Sequence, residues 1–191
     1  PPGSYASTEE LIELCNVAEG LGGSGQTIGR YLDLLVDLML VRRLQPWHEN
    51  VGKRLVKSPK IYVRDSGIVH ALLSIGTTEG LLGHPVVGGS WEGLCIEALL
   101  AAAPTGTEPF FYRTSAGAEL DLVLRLPGGD IWAVEIKRTT APKVSRGFHT
   151  GAEDVKANRK LLIYAGERDV PVAVEIRAIP LEQGIGLLRA L

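Results

Sequence analysis

The fold is decided by residues 118–138, which read AELDLVLRLPGGDIWAVEIKR. Two strand-like runs, residues 118–126 and 131–138, flank the turn-forming sequence PGGD. Acidic residues and a lysine occupy alternate positions in these runs, and alternate residues of a strand share one face. We therefore expect a β-hairpin that carries a charged patch.

The length of the hairpin loop determines which charged residues meet. A three-residue loop places Asp121 directly opposite Glu135. The same loop places Glu119 opposite Lys137. A two-residue Gly-Gly loop would shift the register by one residue and pair Asp121 with Ile136 instead. We predict the longer loop because it brings the carboxylates and the ammonium together, an arrangement that suits a divalent cation and a lysine that acts on water.

The bulk composition is that of an ordinary globular protein. The 191 residues suffice for one large domain or two small ones, with 45% hydrophobic and 22% charged residues. A net charge of −2 excludes a polycation, so any nucleic-acid binding requires a local basic patch. The sequence has no secretory signal and no run of 18 apolar residues, and both cysteines fall in apolar helical patterns. We expect a cytoplasmic protein with reduced thiols and no membrane span.

Residues 1–74 have the outline of a winged helix-turn-helix domain. Helical periodicity on both sides of a glycine-rich turn is followed by two strand-like segments with a polar connection, the expected wing. In order along the chain, these elements are residues 7–17, 20–25, 28–39, 41–46 and 58–64.

A basic surface on this first domain is the predicted nucleic-acid contact. Residues 41–64 contain seven Lys or Arg residues and a single acid, Glu49. Such a surface neutralises phosphates without reading base sequence. The predicted recognition helix has a single exposed basic residue, Arg30, and so gives little support for sequence-specific reading of DNA. The alternative is a solvated wing that contacts the second domain or a partner. The candidate contacts are Arg30, Arg42, Arg43, Lys53, Arg54, Lys57 and Lys60.

Residues 75–191 are expected to form a second domain of mixed α/β class. Besides the charged hairpin, the pattern predicts helices at 91–103 and 151–157 and strands at 110–113, 160–164 and 172–176.

Two patterns that imitate ligand sites carry no function in our interpretation. Residues 20–27 match a phosphate loop except that Gln26 replaces the lysine, and the preceding segment is helical rather than a strand. We therefore expect no ATP site in this chain. The four histidines have no metal-ligand spacing among themselves or with the cysteines.

Several separate motifs resemble one known family, in the same order along the chain. They are similar to the uncharacterised C-terminal domain of predicted prokaryotic AAA-type ATPases, whose full-length members carry an N-terminal phosphate-loop ATPase domain. The chain begins with Pro1 rather than methionine, so the resemblance implies a piece of a longer protein. The matching segments are 53–69 (KRLVKSPKIYVRDSGIV), 89–98 (GSWEGLCIEA), 110–123 (FFYRTSAGAELDLV), 133–138 (AVEIKR) and 144–154 (VSRGFHTGAED).

That C-terminal domain is similar to the PD-(D/E)XK nuclease fold, and the resemblance implies roles for five residues. Asp121 is implied as the metal-binding aspartate, Glu135 as the second acidic metal ligand and Lys137 as the lysine of the motif. Glu119 corresponds to an extra acid of the family. Glu92 matches an acidic position on the preceding helix, where it could hold a metal-bound water or a second ion.

The function implied is Mg²⁺-dependent hydrolysis of phosphodiester bonds in DNA. Leu120 stands where the family usually has a proline, a mild departure because that proline takes no part in the chemistry. An inactive module that binds nucleic acid or protein for the ATPase domain is the alternative function. The charged cluster also has a purely structural explanation, a surface patch with a cross-strand ion pair between Glu119 and Lys137.

Overall fold

The computed structural model describes residues 25–49 and 52–191. The chain divides into two units that alternate along the sequence. Of the described residues, the first unit comprises 25–44 and Ser58–Gly93, and the second comprises 45–49, 52–57 and Leu94–Leu191. The helix predicted at 7–17, Cys15 and the start of the glycine-rich turn lie outside the described residues.

The described residues form a mixed α/β fold. Along the second unit, groups of strands are separated by helices, which is the mixed α/β pattern that the sequence predicts. The elements are α1 (Gly25–Asp37), β1 (Val41–Pro46), β2 (Lys60–Val63), α2 (Ser66–Leu72), α3 (Thr78–Gly83), α4 (Val87–Ala102), β3 (Glu108–Arg113), β4 (Glu119–Arg125), β5 (Ile131–Lys137), α5 (Arg146–Asp154), β6 (Arg159–Tyr164), β7 (Val170–Ala173), β8 (Ile176–Ile179) and α6 (Leu181–Arg189).

In the first unit, β1 and β2 form an antiparallel pair in which Val41 faces Val63 and Leu44 faces Lys60. This confirms the two predicted strands. The helix predicted at 28–39 is also present, as α1. Helix α2 begins after Asp65, whose side chain accepts a hydrogen bond from Gly67 N at 2.8 Å and thereby satisfies a free N–H group of the first turn.

In the second unit, hydrogen-bonded strands follow the order β3-β4-β5-β6-β8-β7, and Gln45 and Pro46 at the end of β1 pair parallel with β3. Strands β3, β4 and β5 are antiparallel neighbours, whereas β5, β6 and β8 run parallel. Helix α5 packs on the sheet, where Phe148 lies in one buried cluster with Tyr112 and Leu120. This packing holds α5 against the strand that carries Asp121.

Three parts of the C-terminal half differ from the sequence prediction. The single strand predicted at 172–176 is wrong, because β7 and β8 pair antiparallel and the chain reverses at Glu175, which has a φ of 59°. The helix predicted at 151–157 begins earlier, at Arg146, because Ser145 caps it. Helix α6 was not predicted. Cys95 is buried in α4, as expected.

None of the helices within residues 25–49 and 52–191 has the length and apolar character needed to cross a membrane.

Candidate functional site

The hairpin between β4 and β5 is closed by the pair Leu126–Asp130, which leaves a loop of three residues, 127–129, as predicted. Leu126 N donates to Asp130 O at 2.8 Å, and Gly129 N donates to Leu126 O at 2.9 Å. Gly129 has a φ of 90°, which a residue with a side chain rarely adopts. The strands pair Leu122 with Val134, so continuation of this register places Asp121 opposite Glu135.

Strand β4 contains a β-bulge at Asp121. Its register with β3 shifts by one residue between the pair Phe110–Val123 and the pair Tyr112–Leu120. Asp121 and Leu122 therefore both lie opposite Phe111 of β3. Bulges bend a strand and redirect its side chains, and they are frequent next to active sites.

A hydrogen bond from the backbone of β5 holds the Asp121 side chain. Ile136 N donates to Asp121 Oδ2 at 2.8 Å, so a carboxylate receives this N–H group beyond the last regular pair of the ladder. Ile136 lies between Glu135 and Lys137 in the sequence. The bond therefore fixes the Asp121 carboxylate beside both residues.

Glu135 and Lys137 form an ion pair with an Nζ to Oε1 distance of 2.9 Å. The Glu135 side chain is only 6% exposed, and its buried Oε2 atom has no partner of good hydrogen-bonding geometry. Burial raises the pKa of Glu135; the ammonium of Lys137 opposes the rise, the charge of Asp121 adds to it, and the nearby Ser145 hydroxyl opposes it weakly. The site therefore contains a buried carboxylate that the protein itself satisfies only in part.

Lys137 remains a cation at neutral pH. Burial acts to lower its pKa, but the hydrogen bond to Glu135 and the charges of Asp121, Glu135 and Glu119 outweigh burial and raise the pKa above 10.5. These interactions show that the four predicted residues of the hairpin lie close together. Glu119 is also 3.7 Å from the guanidinium of Arg113.

The residue set suits Mg²⁺ better than metals that need a full protein cage. Within residues 25–49 and 52–191, no group of three or more His, Cys, Asp or Glu side chains could hold a metal. Mg²⁺ keeps several waters and is commonly held by one or two carboxylates. Asp121 and Glu135 are two neighbouring carboxylates, and the buried Oε2 of Glu135 makes no hydrogen bond of good geometry.

Glu92 lies in the first unit, at the end of the α4 segment that belongs to it. Its Oε1 atom accepts a hydrogen bond from Tyr62 OH at 2.6 Å and lies 3.2 Å from Lys60 Nζ. The side chains of Glu92 and Lys60 are 13% and 6% exposed. The Glu92 carboxylate is therefore mostly buried and hydrogen-bonded within the first unit, and its assignment to the metal site stays a prediction.

The structure divides the predicted nucleic-acid contacts between the two units and gives at least three of them carboxylate partners. Arg43 lies 2.6 Å from Asp33, and Lys53 lies 2.6 Å from Asp154. Lys60 pairs with Glu92. The first unit contains Arg30, Arg42, Arg43 and Lys60, and the second contains Lys53, Arg54 and Lys57; of these, Arg30, Arg54 and Lys57 are exposed and Arg42 is partly buried.

Sequence reasoning missed two residues that place α5 beside the site. Ser145 Oγ accepts a hydrogen bond from Phe148 N at 3.0 Å and so starts the helix. A Cβ atom at Gly147 would lie 3.0 Å from Gly117 O and 3.6 Å from Glu119 N, which allows the first turn to approach β4 closely. Serine before a helical pattern is a recognisable start signal, whereas the close approach at Gly147 has no local signature.

The family described as a domain of unknown function, DUF4143, matches residues 87–183. The chain belongs to this family. The DUF4143 match contains the whole charged hairpin and α5. A second domain of unknown function, DUF8612, matches residues 5–79.

The curated relatives of this DUF4143 chain are longer proteins. An uncharacterized protein of Mycobacterium tuberculosis (strain ATCC 25618 / H37Rv) is 40% identical over 175 residues, which cover 91% of this chain and 39% of the relative. An uncharacterized protein of Mycobacterium bovis (strain ATCC BAA-935 / AF2122/97) matches with the same figures. The chain therefore spans about two fifths of their length. No solved structure matches it.

Proposed function

We propose that this chain is the C-terminal region of an AAA-type ATPase and that its second unit is a PD-(D/E)XK-like nuclease, which hydrolyses phosphodiester bonds of DNA with Mg²⁺. The observation that carries the proposal is the convergence of Asp121, Glu135 and Lys137 at a β-bulge, where one buried oxygen of Glu135 makes no hydrogen bond of good geometry. Membership of DUF4143 and the greater length of the relatives agree with a place in a longer protein.

Asp121 and Glu135 are the residues that hold Mg²⁺ in this proposal. When bound, the cation lowers the pKa of a coordinated water and neutralises charge on the phosphate. Asp121 is oriented by the Ile136 N–H group, which fixes one of its oxygens. Burial raises the pKa of Glu135, and a cation bound beside this carboxylate would stabilise its charged form.

Lys137 supplies a fixed positive charge rather than a base, because its pKa is raised and it stays protonated at neutral pH. Its ammonium stabilises negative charge that develops on the phosphoryl oxygens and orients the attacking water. In the reaction, water oxygen forms a bond to phosphorus, the bond to one bridging oxygen breaks, and the proton lost by water is balanced by protonation of the leaving oxygen.

Nicking of supercoiled plasmid by the whole chain with Mg²⁺ tests the proposal. Asp121→Asn keeps an oxygen that can accept the Ile136 N–H bond but removes the charge, and we expect a loss of roughly 100-fold or more. Asp130→Asn makes the same chemical change at an exposed position of the same hairpin and serves as the matched control. Circular dichroism and thermal unfolding check that both variants fold. Nicking at equal rates by wild type and Asp121→Asn would reject the proposal.

A binding module without hydrolysis is the second candidate function, and an apolar surface formed by α1 and the turn after it favours this candidate. Tyr31, Leu34, Leu38 and Met39 are each more than half exposed, and exposed apolar groups of this kind are typical of surfaces that contact other proteins. This candidate predicts that the chain binds a partner or DNA while the plasmid remains intact at every Mg²⁺ concentration.

A further inference from the structure

The connection between β5 and α5 has an unusual charge pattern. Residues 136–152 contain no aspartate or glutamate, although the chain as a whole has a net charge of −2. Arg138, Lys143 and Arg146 lie in this stretch and are exposed. Within the described part of the chain, none of these three side chains has an ion-pair partner. They differ in this respect from Arg43, whose guanidinium lies 2.6 Å from a carboxylate.

Both ends of this basic connection lie at the charged site. Lys137, the last residue of β5, is bonded to Glu135 at one end. At the other end, Ser145 is near enough to Glu135 to affect its pKa, and Gly147 lies against the backbone of Glu119. The connection therefore leaves the site at Lys137 and returns to it at Ser145 and Gly147.

The net negative charge of the site explains why basic residues are needed beside it for nucleic-acid binding. Three carboxylates face one ammonium, so a single divalent cation only balances the cluster. A nucleic-acid backbone carries one negative charge per phosphate and requires further positive charge for binding. The exposed basic side chains of the connection supply this positive charge, and the N–H groups at the start of α5 add a favourable dipole. The buried Oε2 of Glu135, which makes no hydrogen bond of good geometry, independently indicates a cation at this position, and a cation held there would attract a phosphate of the backbone.

We infer that residues 138–146 and the first turn of α5 form the surface that holds a nucleic-acid backbone beside the hairpin site. The contacts are with phosphates, through Arg138, Lys143 and Arg146, and do not read base sequence. This inference rests on the proposed function, whose substrate it places. It moves the main contact away from residues 41–64, where several of the predicted bases already have carboxylate partners.

Fluorescence anisotropy with a labelled DNA duplex and the whole chain tests this inference, with Ca²⁺ replacing Mg²⁺ to suppress hydrolysis. We expect the variant Arg138→Ala/Lys143→Ala/Arg146→Ala to bind about tenfold more weakly or worse. Its dependence of log K on log salt should become shallower by roughly 2–3, because each phosphate contact contributes about 0.9. The conservative variant Arg138→Lys/Arg146→Lys keeps the charges and should retain affinity within about threefold.

A second triple variant provides the charge-matched comparison. Arg30→Ala/Arg54→Ala/Lys57→Ala removes three exposed bases that the sequence predicts as contacts, and we expect it to change the affinity less than about threefold. Unchanged affinity in the first variant, or an equal loss in the comparison variant, would overturn the inference.

Plasmid nicking by the same proteins separates this inference from the proposed hydrolysis. A wild type that binds DNA through residues 138–146 but never nicks it would support the binding surface and reject hydrolysis. A wild type that nicks DNA, with the first triple variant nicking equally well at low DNA concentration, would reject the surface and leave hydrolysis standing.

Discussion

Two carboxylate–lysine pairs in the second unit differ in how completely the protein satisfies the acid. Asp154 receives Lys53 Nζ at both oxygens, at 2.6 and 2.7 Å, and Tyr112 OH donates to Oδ2 at 2.6 Å. Glu135 receives Lys137 at one oxygen, and its other oxygen is buried without a partner. The first arrangement is a complete structural contact, whereas the second leaves bonding capacity for a ligand.

The Asp154 contact fastens the segment Gln45–Lys57 to helix α5 within the second unit. Burial, together with the hydrogen bond and the charge of Asp154, raises the pKa of the Tyr112 phenol well above its ordinary value of 10.0, so the donor stays protonated. The Glu135 carboxylate instead has a pKa raised by burial, which means that folding disfavours its charged form. Burial of the Glu135 carboxylate therefore does not stabilise the folded protein.

Of the effects that would sharpen this comparison, we expect the largest on plasmid nicking, when Lys137 is replaced. Lys137→Met removes the ammonium while keeping much of the apolar stem, and we expect plasmid nicking to fall by about 100- to 1,000-fold. The fold should remain, since the Lys137 side chain is 44% exposed. Nicking assays and circular dichroism on the same preparation check this. Nicking retained within a few-fold of the wild type would remove Lys137 from the site.

At the structural pair we expect a loss of stability. Asp154→Ala leaves Lys53 and Tyr112 without their acceptor and should lower the free energy of unfolding by about 2–3 kcal/mol, a discounted value because Lys53 is 42% exposed. Tyr112→Phe removes only the phenol hydrogen bond and should cost about 1 kcal/mol. Urea unfolding measures both. A change in Asp154→Ala no larger than in Tyr112→Phe would show that the lysine contributes nothing.

Replacing the acid by its amide at the Glu135–Lys137 pair should raise stability instead of lowering it. Glu135→Gln removes a buried charge whose raised pKa marks it as unfavourable in the folded protein, so we expect stability to rise by roughly 0.5–2 kcal/mol at neutral pH without added metal. Asp154→Asn, the matched change, should lower stability. Two losses of equal size in urea unfolding would erase the distinction between the pairs.

The smallest effect concerns pH. The folded pKa of Glu135 lies above its ordinary value of 4.5, so the folded chain holds this proton more tightly than the unfolded chain does. The contribution of Glu135 to stability therefore falls as pH rises from 4.5 through the raised pKa. Urea unfolding of wild type and Glu135→Gln from about pH 4 to about pH 8 should show the stability gap widening with pH. A gap that stays constant would contradict the raised pKa.

The hairpin could be predicted from sequence because its determinants are local. Alternating charges and a Pro-Gly-Gly turn specify both the strands and the three-residue loop, and the register followed. The bulge at Asp121 could not be predicted, because it depends on the pairing of β4 with β3. The reversal at Glu175 was missed because a left-handed conformation at glutamate has no sequence signal.

The basic residues show a second limit of sequence reasoning. Counting charges in residues 41–64 identified a basic segment, but it did not reveal that Lys53 and Lys60 have carboxylate partners far away in the chain. Arg138 and Arg146 were overlooked because they are spread through a connection rather than clustered. The absence of any acid from residues 136–152 is the signal that could have found them.

Calorimetric titration of the metal-free chain with Mg²⁺ and Mn²⁺ tests the central claim most directly. We predict binding of roughly one cation per chain in the wild type, at least tenfold weaker binding in Asp121→Asn and unchanged binding in Asp130→Asn. Binding of equal strength in wild type and Asp121→Asn, or a folded wild type that binds neither cation, would contradict the claim that the charged hairpin is a metal site.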